Sequence, residues 1–249
     1  MNNTSLRLTF YLNCCLVLLT VFPSHAQQPP PATSTPPASA AASAVPAPTK
    51  QSPPFWEEIA EFRHQDSLHH PPTGAILFVG SSSFRKWTNV GSYFPGYTII
   101  NRGFGGSSLP DLIRYAKEII YPYHPKQIVI YCGDNDLANS DSVTATMVYN
   151  RFVKLYDLIR SHLGEVDIVY ISIKPSPSRQ KLMARMEEAN DLIRDFMAKY
   201  SHATFVDVYH PMLKPTGQPA DSLFLDDKLH MNEKGYRIWQ QILLPYLDK

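Results

Sequence analysis

The chain has 249 residues, and its 23 Lys plus Arg nearly balance its 22 Asp plus Glu. This length suits one good-sized domain or two small ones. A nearly neutral chain without a block of basic residues argues against nucleic acid as a partner. The sequence has no cluster of His, Cys, Asp and Glu with the spacing of a metal site, so we expect neither a metal nor another cofactor.

Residues 1–26 have the pattern of a secretory signal peptide. Arg7 supplies a short basic start, and Leu8 to Phe22 is almost entirely apolar but short for crossing a bilayer. Ser24-His25-Ala26 then offers small residues at the two specificity positions of a signal-peptidase site. The pattern predicts export to the periplasm or the outside of the cell, with retention as an N-terminal anchor as the alternative.

Residues 27–54 are predicted to be a disordered linker. The segment from Gln27 to Pro54 consists mostly of Pro, Ala, Ser and Thr, and has too little apolar bulk to offset the entropy of ordering it. We interpret it as a partly polyproline tether that keeps the following domain near a membrane surface or cell wall. A Pro-rich ligand for another protein is the alternative. The folded domain is expected to occupy residues 55–249.

In that domain, short apolar runs alternate with longer stretches of helical periodicity. The predicted strands are Ala75–Val79, Tyr97–Ile100, Gln127–Tyr131, Asp167–Ile173 and Ala203–Val208, and the predicted helices are Leu109–Ile120, Val143–His162, Arg179–Tyr200 and Asn232–Leu247. The strands are β-branched and apolar on both faces, which is typical of parallel strands covered by helices. The repeated strand–helix order predicts an α/β fold, a three-layer α/β/α doubly wound parallel sheet of the flavodoxin-like kind.

Polar, glycine-containing loops follow several of these strands. Ligands of open parallel sheets bind at the carboxyl ends of the strands, so these loops have to be considered together. Each loop alone indicates little, because glycine and serine in such loops usually form turns and helix caps. The loops are Gly80-Ser81-Ser82-Ser83, Asn101 to Gly106, Gly133-Asp134-Asn135-Asp136, and Asp227-Lys228-Leu229-His230 before the last helix.

Together and in this order, the loops resemble the sequence blocks of the SGNH (GDSL-like) hydrolases over roughly Ala75 to Tyr246. The blocks of that family are Gly-Asp-Ser, an Asn followed five residues later by a Gly, Gly-x-Asn-Asp, and Asp-x-x-His. They are matched by Gly80–Ser82, Asn101 with Gly106, Gly133–Asp136, and Asp227 with His230. The resemblance implies the SGNH hydrolase fold and a serine esterase.

One position departs from the family pattern, since Ser81 stands where the family has Asp. That Asp helps to hold the loop and is not the nucleophile. A serine hydroxyl can form a similar local bond to the backbone, so we expect Ser81 to replace it. Three consecutive serines leave Ser81 and Ser83 as rivals for the nucleophile, and the spacing from Gly80 favours Ser82.

The resemblance assigns a role to each matched residue. Ser82 is the expected nucleophile, His230 the base that removes its proton, and Asp227 the acid that holds the imidazole. The oxyanion of the tetrahedral intermediate would be bound by the backbone N–H groups of Ser82 and Gly106 and by the side-chain amide of Asn135. Each such donor is typically worth about 10²–10³ in rate.

A polar loop from Lys174 to Arg179 follows the fourth predicted strand at the same edge of the sheet. Lys174 or Arg179 could line the substrate entrance and contact an anionic group. A stiff, solvated loop in which Ser178 caps the next helix is an equally good interpretation.

These observations favour a serine esterase that forms an acyl-enzyme. A lysophospholipase or lipase of the same family, and a non-catalytic carbohydrate-binding module on the same fold, remain alternatives. A phosphate-binding loop is disfavoured because no Walker pattern is present. The segments Asn101 to Ser108 and Lys174 to Gln180 are glycine-rich or polar, which suits a small acyl group, such as acetyl, on a small-molecule or saccharide alcohol.

Overall fold

A computed structural model describes residues 52–249 of the chain. The predicted signal peptide and nearly all of the predicted linker lie outside the described residues and stay predictions. Within residues 52–249, none of the helices combines the length and the apolar character that a bilayer crossing requires.

Five parallel strands form one sheet in the order β2-β1-β3-β4-β5. They are Ile76–Gly80 (β1), Ile99–Gly103 (β2), Gln127–Tyr131 (β3), Asp167–Ile171 (β4) and Ala203–Val206 (β5). β1 and β3 are buried along their whole length, as expected for central strands whose residues are apolar on both faces. The predicted α/β fold with a doubly wound parallel sheet is therefore confirmed.

Helices cover both faces of this sheet. In the described part of the chain they are Trp56–Leu68 (α1), Ser82–Arg85 (α2), Val90–Tyr93 (α3), Leu109–Arg114 (α4), Ala116–Ile119 (α5), Asp134–Asn139 (α6), Ala145–Leu163 (α7), Met183–Met197 (α8) and Glu233–Leu243 (α9). Leu77 and Val79 pack on the side of α1, α4, α5, α7 and α8. Ile76 and Phe78, which point to the other face, pack with residues of α2, α3 and α9.

Several predicted boundaries differ from the structure for local reasons. The predicted helix Leu109–Ile120 is interrupted at Tyr115, where the backbone leaves the helical region (φ −102°, ψ 12°). β4 and β5 each end two residues early, because the Ser172 hydroxyl accepts hydrogen bonds from the backbone N–H groups of Val208 and Tyr209 in place of further ladder bonds. The last helix ends at Leu243, since Pro245 cannot continue the α-helical hydrogen bonding.

The sheet order places the candidate residues at one edge. β2 follows β1 in the chain and lies beside it, and β3 then lies on the opposite side of β1. The carboxyl ends of β1 and β3 therefore flank the point where the winding of the sheet reverses. Ligands of doubly wound sheets bind at this point. The loops that follow β1, β2 and β3 therefore converge there, as the sequence predicts.

Gly80, the last residue of β1, is a position where a side chain has no room. A Cβ at Gly80 would lie 2.0 Å from the carbonyl oxygen of Tyr131, whereas a Cβ at Gly91 would meet no atom within 4 Å. We expect Gly80→Ala to lower the free energy of unfolding by about 3 kcal/mol or more, because the atoms that the new Cβ would meet all belong to the backbone of Tyr131 and cannot move aside. Gly91→Ala, the control, should change it by less than about 1 kcal/mol. Urea unfolding followed by circular dichroism measures both, and equal stability of the two variants would contradict the close packing at Gly80.

Candidate active site

Ser82 stands at the first position of α2, and only Ser81 separates it from the end of β1. The backbone N–H of Ser81 donates to the Tyr131 carbonyl (3.0 Å), and the Ser81 carbonyl accepts from the N–H groups of Phe84 and Arg85 (3.0 and 3.2 Å). Ser82 is only partly buried, whereas Ser81 and Ser83 are 0% and 2% exposed. Of the three consecutive serines, Ser82 is thus the one that a substrate can reach.

His230 and Asp227 form a hydrogen-bonded chain with this serine. The Nε2 atom of His230 lies 3.0 Å from the Oγ of Ser82, and its Nδ1 lies 2.6 Å from the Oδ2 of Asp227. The Asp227 carboxylate can only accept, so the Nδ1 proton points to Asp227 and Nε2 is left to accept from the serine hydroxyl. The structure thus joins Ser82, His230 and Asp227, which the sequence predicts as nucleophile, base and acid, in one hydrogen-bonded chain.

A short hairpin-like turn holds the acid and the base at this distance. Leu225 N–H donates to the His230 carbonyl (2.8 Å), and Lys228 takes the left-handed conformation (φ 57°) that the turn requires. Asn232 stabilises the base of the turn, because its side-chain amide donates to the carbonyl of Phe224 (3.1 Å) while its oxygen caps the N-terminus of α9.

The Asp227 carboxylate is kept ionised by this turn. Partial burial tends to raise its pKa, but hydrogen bonds from the His230 side chain and from the backbone N–H groups of His230 and Leu229 outweigh this and hold the pKa well below its usual range. A carboxylate that stays charged can orient the imidazole and stabilise the imidazolium that forms when the serine loses its proton.

Two backbone N–H groups next to Ser82 are free to bind an oxyanion. Within residues 52–249, neither the N–H of Ser82 nor that of Gly106 donates a hydrogen bond to a protein group. Gly106 is exposed and has a φ of 78°, a left-handed conformation that favours glycine. The neighbouring Ser107 hydroxyl donates to the carbonyls of Phe104 and Gly80 (3.0 and 3.3 Å), which fastens this loop to the end of β1.

Asn135, the third predicted oxyanion donor, has its amide orientation fixed from both ends. Its Nδ2 donates to the Ser107 carbonyl (2.9 Å), and its Oδ1 accepts from Nη2 of Arg179 (2.8 Å). An arginine can only donate, so the amide oxygen has to face Arg179 and the NH₂ group has to face the Gly106–Ser107 loop. The second hydrogen of that NH₂ group remains for a ligand.

The loop from Lys174 to Arg179 is not the solvated loop that one interpretation of the sequence expects. Lys174 is 1% exposed, and its ammonium lies 3.8 Å from Oδ2 of the buried Asp134. Nη1 of Arg179 lies 3.0 Å from the same oxygen, in an ion pair whose N–H is not aligned as a hydrogen bond. Burial lowers the pKa of Lys174 to about 8, against the opposing attraction of Asp134. Ser178 does not cap the next helix; its backbone N–H donates to the Lys228 carbonyl (3.0 Å).

The expected role of Ser81 is also wrong. Its hydroxyl is buried and has no hydrogen-bond partner among the described residues, so it does not replace the family aspartate by a local side-chain bond. The loop keeps its shape through the backbone hydrogen bonds around Ser81 instead. In the described part of the chain no three His, Cys, Asp or Glu side chains are grouped as metal ligands.

Sequence reasoning missed another Asp-x-x-His motif, at Asp207 and His210. Asp207 follows β5, and its Oδ2 lies 2.7 Å from Nδ1 of His210, much as in the first pair. The Nε2 of His210, however, faces Glu187 at 3.8 Å and no serine. The same spacing at Asp66 and His69 gives no pair, since the Asp66 carboxylate accepts from Arg102 and Tyr123 instead. The spacing alone therefore does not identify the candidate site, which is distinguished by the approach of Ser82 to the histidine.

Comparisons with known proteins agree with the fold. The model of the GDSL-like Lipase/Acylhydrolase family matches residues 72–238, more than half of the chain. No match was found among curated proteins.

Solved structures resemble the chain in fold. One, from Streptococcus pneumonia and proposed to be a platelet activating factor, has a TM-score of 0.68 at 21% identity and covers 78% of this chain and 92% of its own. A GDSL-like lipase from Bacteroides thetaiotaomicron has a TM-score of 0.64 at 18% identity, with coverage of 76% and 96%. A catalytic mutant of an acetylxylan esterase from Geobacillus stearothermophilus has a TM-score of 0.56 at 14% identity, with coverage of 70% and 94%.

The buried charges beside Asn135 give a prediction about stability. Arg179→Met would leave Asp134 with only the more distant Lys174 as a cation, so we expect the free energy of unfolding to fall by about 3 kcal/mol. Arg194→Met is the matched control, because Arg194 pairs only with the exposed Asp191 and Asp195, and it should cost less than about 1 kcal/mol. Urea denaturation compares the two. Equal losses would show that the ion pair with Asp134 is no stronger than one at the surface.

Proposed function

Because the chain belongs to the GDSL-like lipase/acylhydrolase family, a family of hydrolases, we propose that it cleaves carboxylic esters through a covalent acyl-enzyme on Ser82. The observation that carries the proposal is the continuous hydrogen-bonded chain from Ser82 Oγ through His230 to Asp227. A serine hydroxyl is a weak nucleophile until a neighbouring base takes its proton, and this chain supplies that base in the required orientation.

In the proposed reaction, Ser82 Oγ attacks the carbonyl carbon of the ester while its proton moves to Nε2 of His230. The carbonyl oxygen becomes the oxyanion and accepts hydrogen bonds from the N–H groups of Ser82 and Gly106 and from Asn135. The tetrahedral intermediate then collapses: the bond to the alcohol oxygen breaks, and His230 returns the proton to the leaving alcohol. Water repeats the sequence on the acyl-enzyme, releases the carboxylic acid and restores Ser82.

A non-catalytic binding module on the same fold is the main rival. Such a module needs neither an accessible serine at hydrogen-bond distance from a histidine nor two free N–H groups beside it. Ser82 has both, and the buried Lys174–Asp134–Arg179 cluster fixes the neighbouring amide at a cost in desolvation that simple binding would not require.

The serine variants test the proposal. We expect Ser82→Ala to lower kcat for p-nitrophenyl acetate by at least about 10³-fold and to abolish labelling by a fluorophosphonate, because the nucleophile is gone. Ser81→Ala is the matched control, since it removes a buried hydroxyl that bonds no group within residues 52–249, and it should keep the wild-type kcat and label. Thermal unfolding should confirm that both variants are folded. Full activity of folded Ser82→Ala would refute the serine mechanism.

The surroundings of the site favour a polar alcohol. A groove of about 920 Å³ lies beside Arg179, the partner of the Asn135 amide. Its lining combines the polar residues Asp141, Ser178, Arg179, Gln180, Lys181 and Arg185 with the apolar residues Leu137, Ala138, Pro177 and Leu182. It adjoins both halves of the site, because Arg179 bonds the Asn135 side chain and Ser178 bonds the backbone of the turn that carries His230. We propose that this groove accepts the alcohol part of the substrate, such as an acetylated saccharide or another polar ester.

We further propose a small acyl group, because the loop from Asn101 to Ser108 that carries Gly106 is glycine-rich and polar. Each buried CH₂ is worth only about 0.8 kcal/mol, so a lipase needs an extended apolar surface. We expect kcat/KM for p-nitrophenyl acetate or butyrate to exceed that for the laurate or palmitate ester, measured at concentrations below micelle formation. A steady rise in kcat/KM up to the longest chains would instead indicate a lipase or lysophospholipase.

A further inference from the structure

The segment that precedes the family match packs against the proposed oxyanion loop. α1 and Phe55 lie before residue 72, where the family match begins. Ile59 anchors the helix by being fully buried in the core. Glu58 then reaches the site: its Oε2 accepts from the backbone N–H of Gly105 (3.3 Å) and pairs with Nε of Arg85 (2.9 Å), the last residue of the helix that Ser82 begins.

Phe55 is held next to Gly106 in an unusual backbone conformation. Its φ of 67° and ψ of 0° are left-handed, which is a strained conformation for a bulky residue. The preceding residue is held in place because the hydroxyl of Tyr115 donates to the Pro54 carbonyl (2.5 Å). The surrounding structure therefore stabilises a strained residue at this point.

The ring of Phe55 occupies the space beside the proposed oxyanion donor. It packs edge-on against Phe104, with the ring centroids 5.4 Å apart. Its Cε1 lies 3.9 Å from the point where a Cβ on Gly106 would stand, and among residues 52–249, apart from the two chain neighbours of Gly106, no other residue lies within 4 Å of that point. Phe55 is only partly buried, and the Cε1 edge of its ring lies towards the exposed Gly106.

We propose that Phe55 forms the end wall of the acyl-binding side of the site and limits the length of the acyl chain. The inference rests on the proposed ester hydrolysis. It assigns the acyl part and the alcohol part of the ester to different sides of the site. The carbonyl oxygen would lie among Ser82, Gly106 and Asn135, with the alcohol towards the polar groove beside Arg179 and the acyl group towards Gly106 and Phe55. An aromatic ring in contact with the loop leaves room for a short acyl group only.

The test is a chain-length profile of Phe55→Ala and Phe55→Gly with p-nitrophenyl acetate, butyrate, octanoate and laurate. We expect the ratio of kcat/KM for octanoate to that for acetate to rise by at least about 10-fold, because removal of the ring opens space for several CH₂ groups. Phe55→Gly guards against misfolding, since glycine accepts the positive φ without strain. Phe62→Ala is the matched control: this residue of α1 packs on the core beside Arg102 and should leave the ratio unchanged.

An unchanged ratio in active, folded Phe55 variants would overturn the proposal, and so would a wild-type enzyme that already prefers octanoate. An equal rise of the ratio in Phe62→Ala would also overturn it, because loosening of the whole helix would then explain the effect. Failure of the proposed function is recognised separately, by a wild-type protein that neither hydrolyses acetate nor is labelled at Ser82.

Discussion

The contact between Ser82 and His230 joins two residues that are 148 positions apart in the chain, and the rest of the site is arranged around it. Neither residue could hold this position alone. Ser82 is placed by the end of a central buried strand, and His230 by a turn that Asn232 fastens to the start of α9. The hydrogen bond is therefore a consequence of the sheet order, which brings β1 to the point where the winding of the sheet reverses.

Electrostatics of the site follow a division between exposed and buried charges. Asp227 is half-exposed and acts through hydrogen bonds, so its role is to hold the imidazole and not to add a buried charge. The buried charges are those of Asp134, Lys174 and Arg179, and the Asp134 carboxylate pairs with both cations. A buried ion pair seldom adds net stability, but a charged network has few alternative arrangements. Here the small number of arrangements open to the network fixes which end of the Asn135 amide faces the proposed oxyanion site.

Sequence reasoning reached the strands and the four loops because both are local signals. The apolar runs of β1 and β3 and the glycines at their ends are visible within a few residues. It failed where the deciding contacts are not visible in the local pattern. The loop at Lys174 is polar in sequence, but Lys174 is buried and pairs with Asp134. α1 was not predicted because its sequence has no clear apolar stripe, and Ile59 is its only fully buried residue. The pair at Asp207 and His210 shows the same limit, since local spacing cannot tell which pair meets a serine.

Ser81 shows why the motif and the geometry have to be considered separately. The usual aspartate is replaced by a serine whose hydroxyl bonds nothing within the described residues, yet Ser82 still meets His230. The backbone bonds of Ser81 to Tyr131, Phe84 and Arg85 suffice to shape the loop. Glu58 of α1 contacts both Arg85, the last residue of α2, and Gly105 in the loop after β2. The position of the proposed nucleophile and oxyanion donors thus rests on backbone bonds around Ser81 and on the contacts of Glu58, and not on the side chain at the motif position of Ser81.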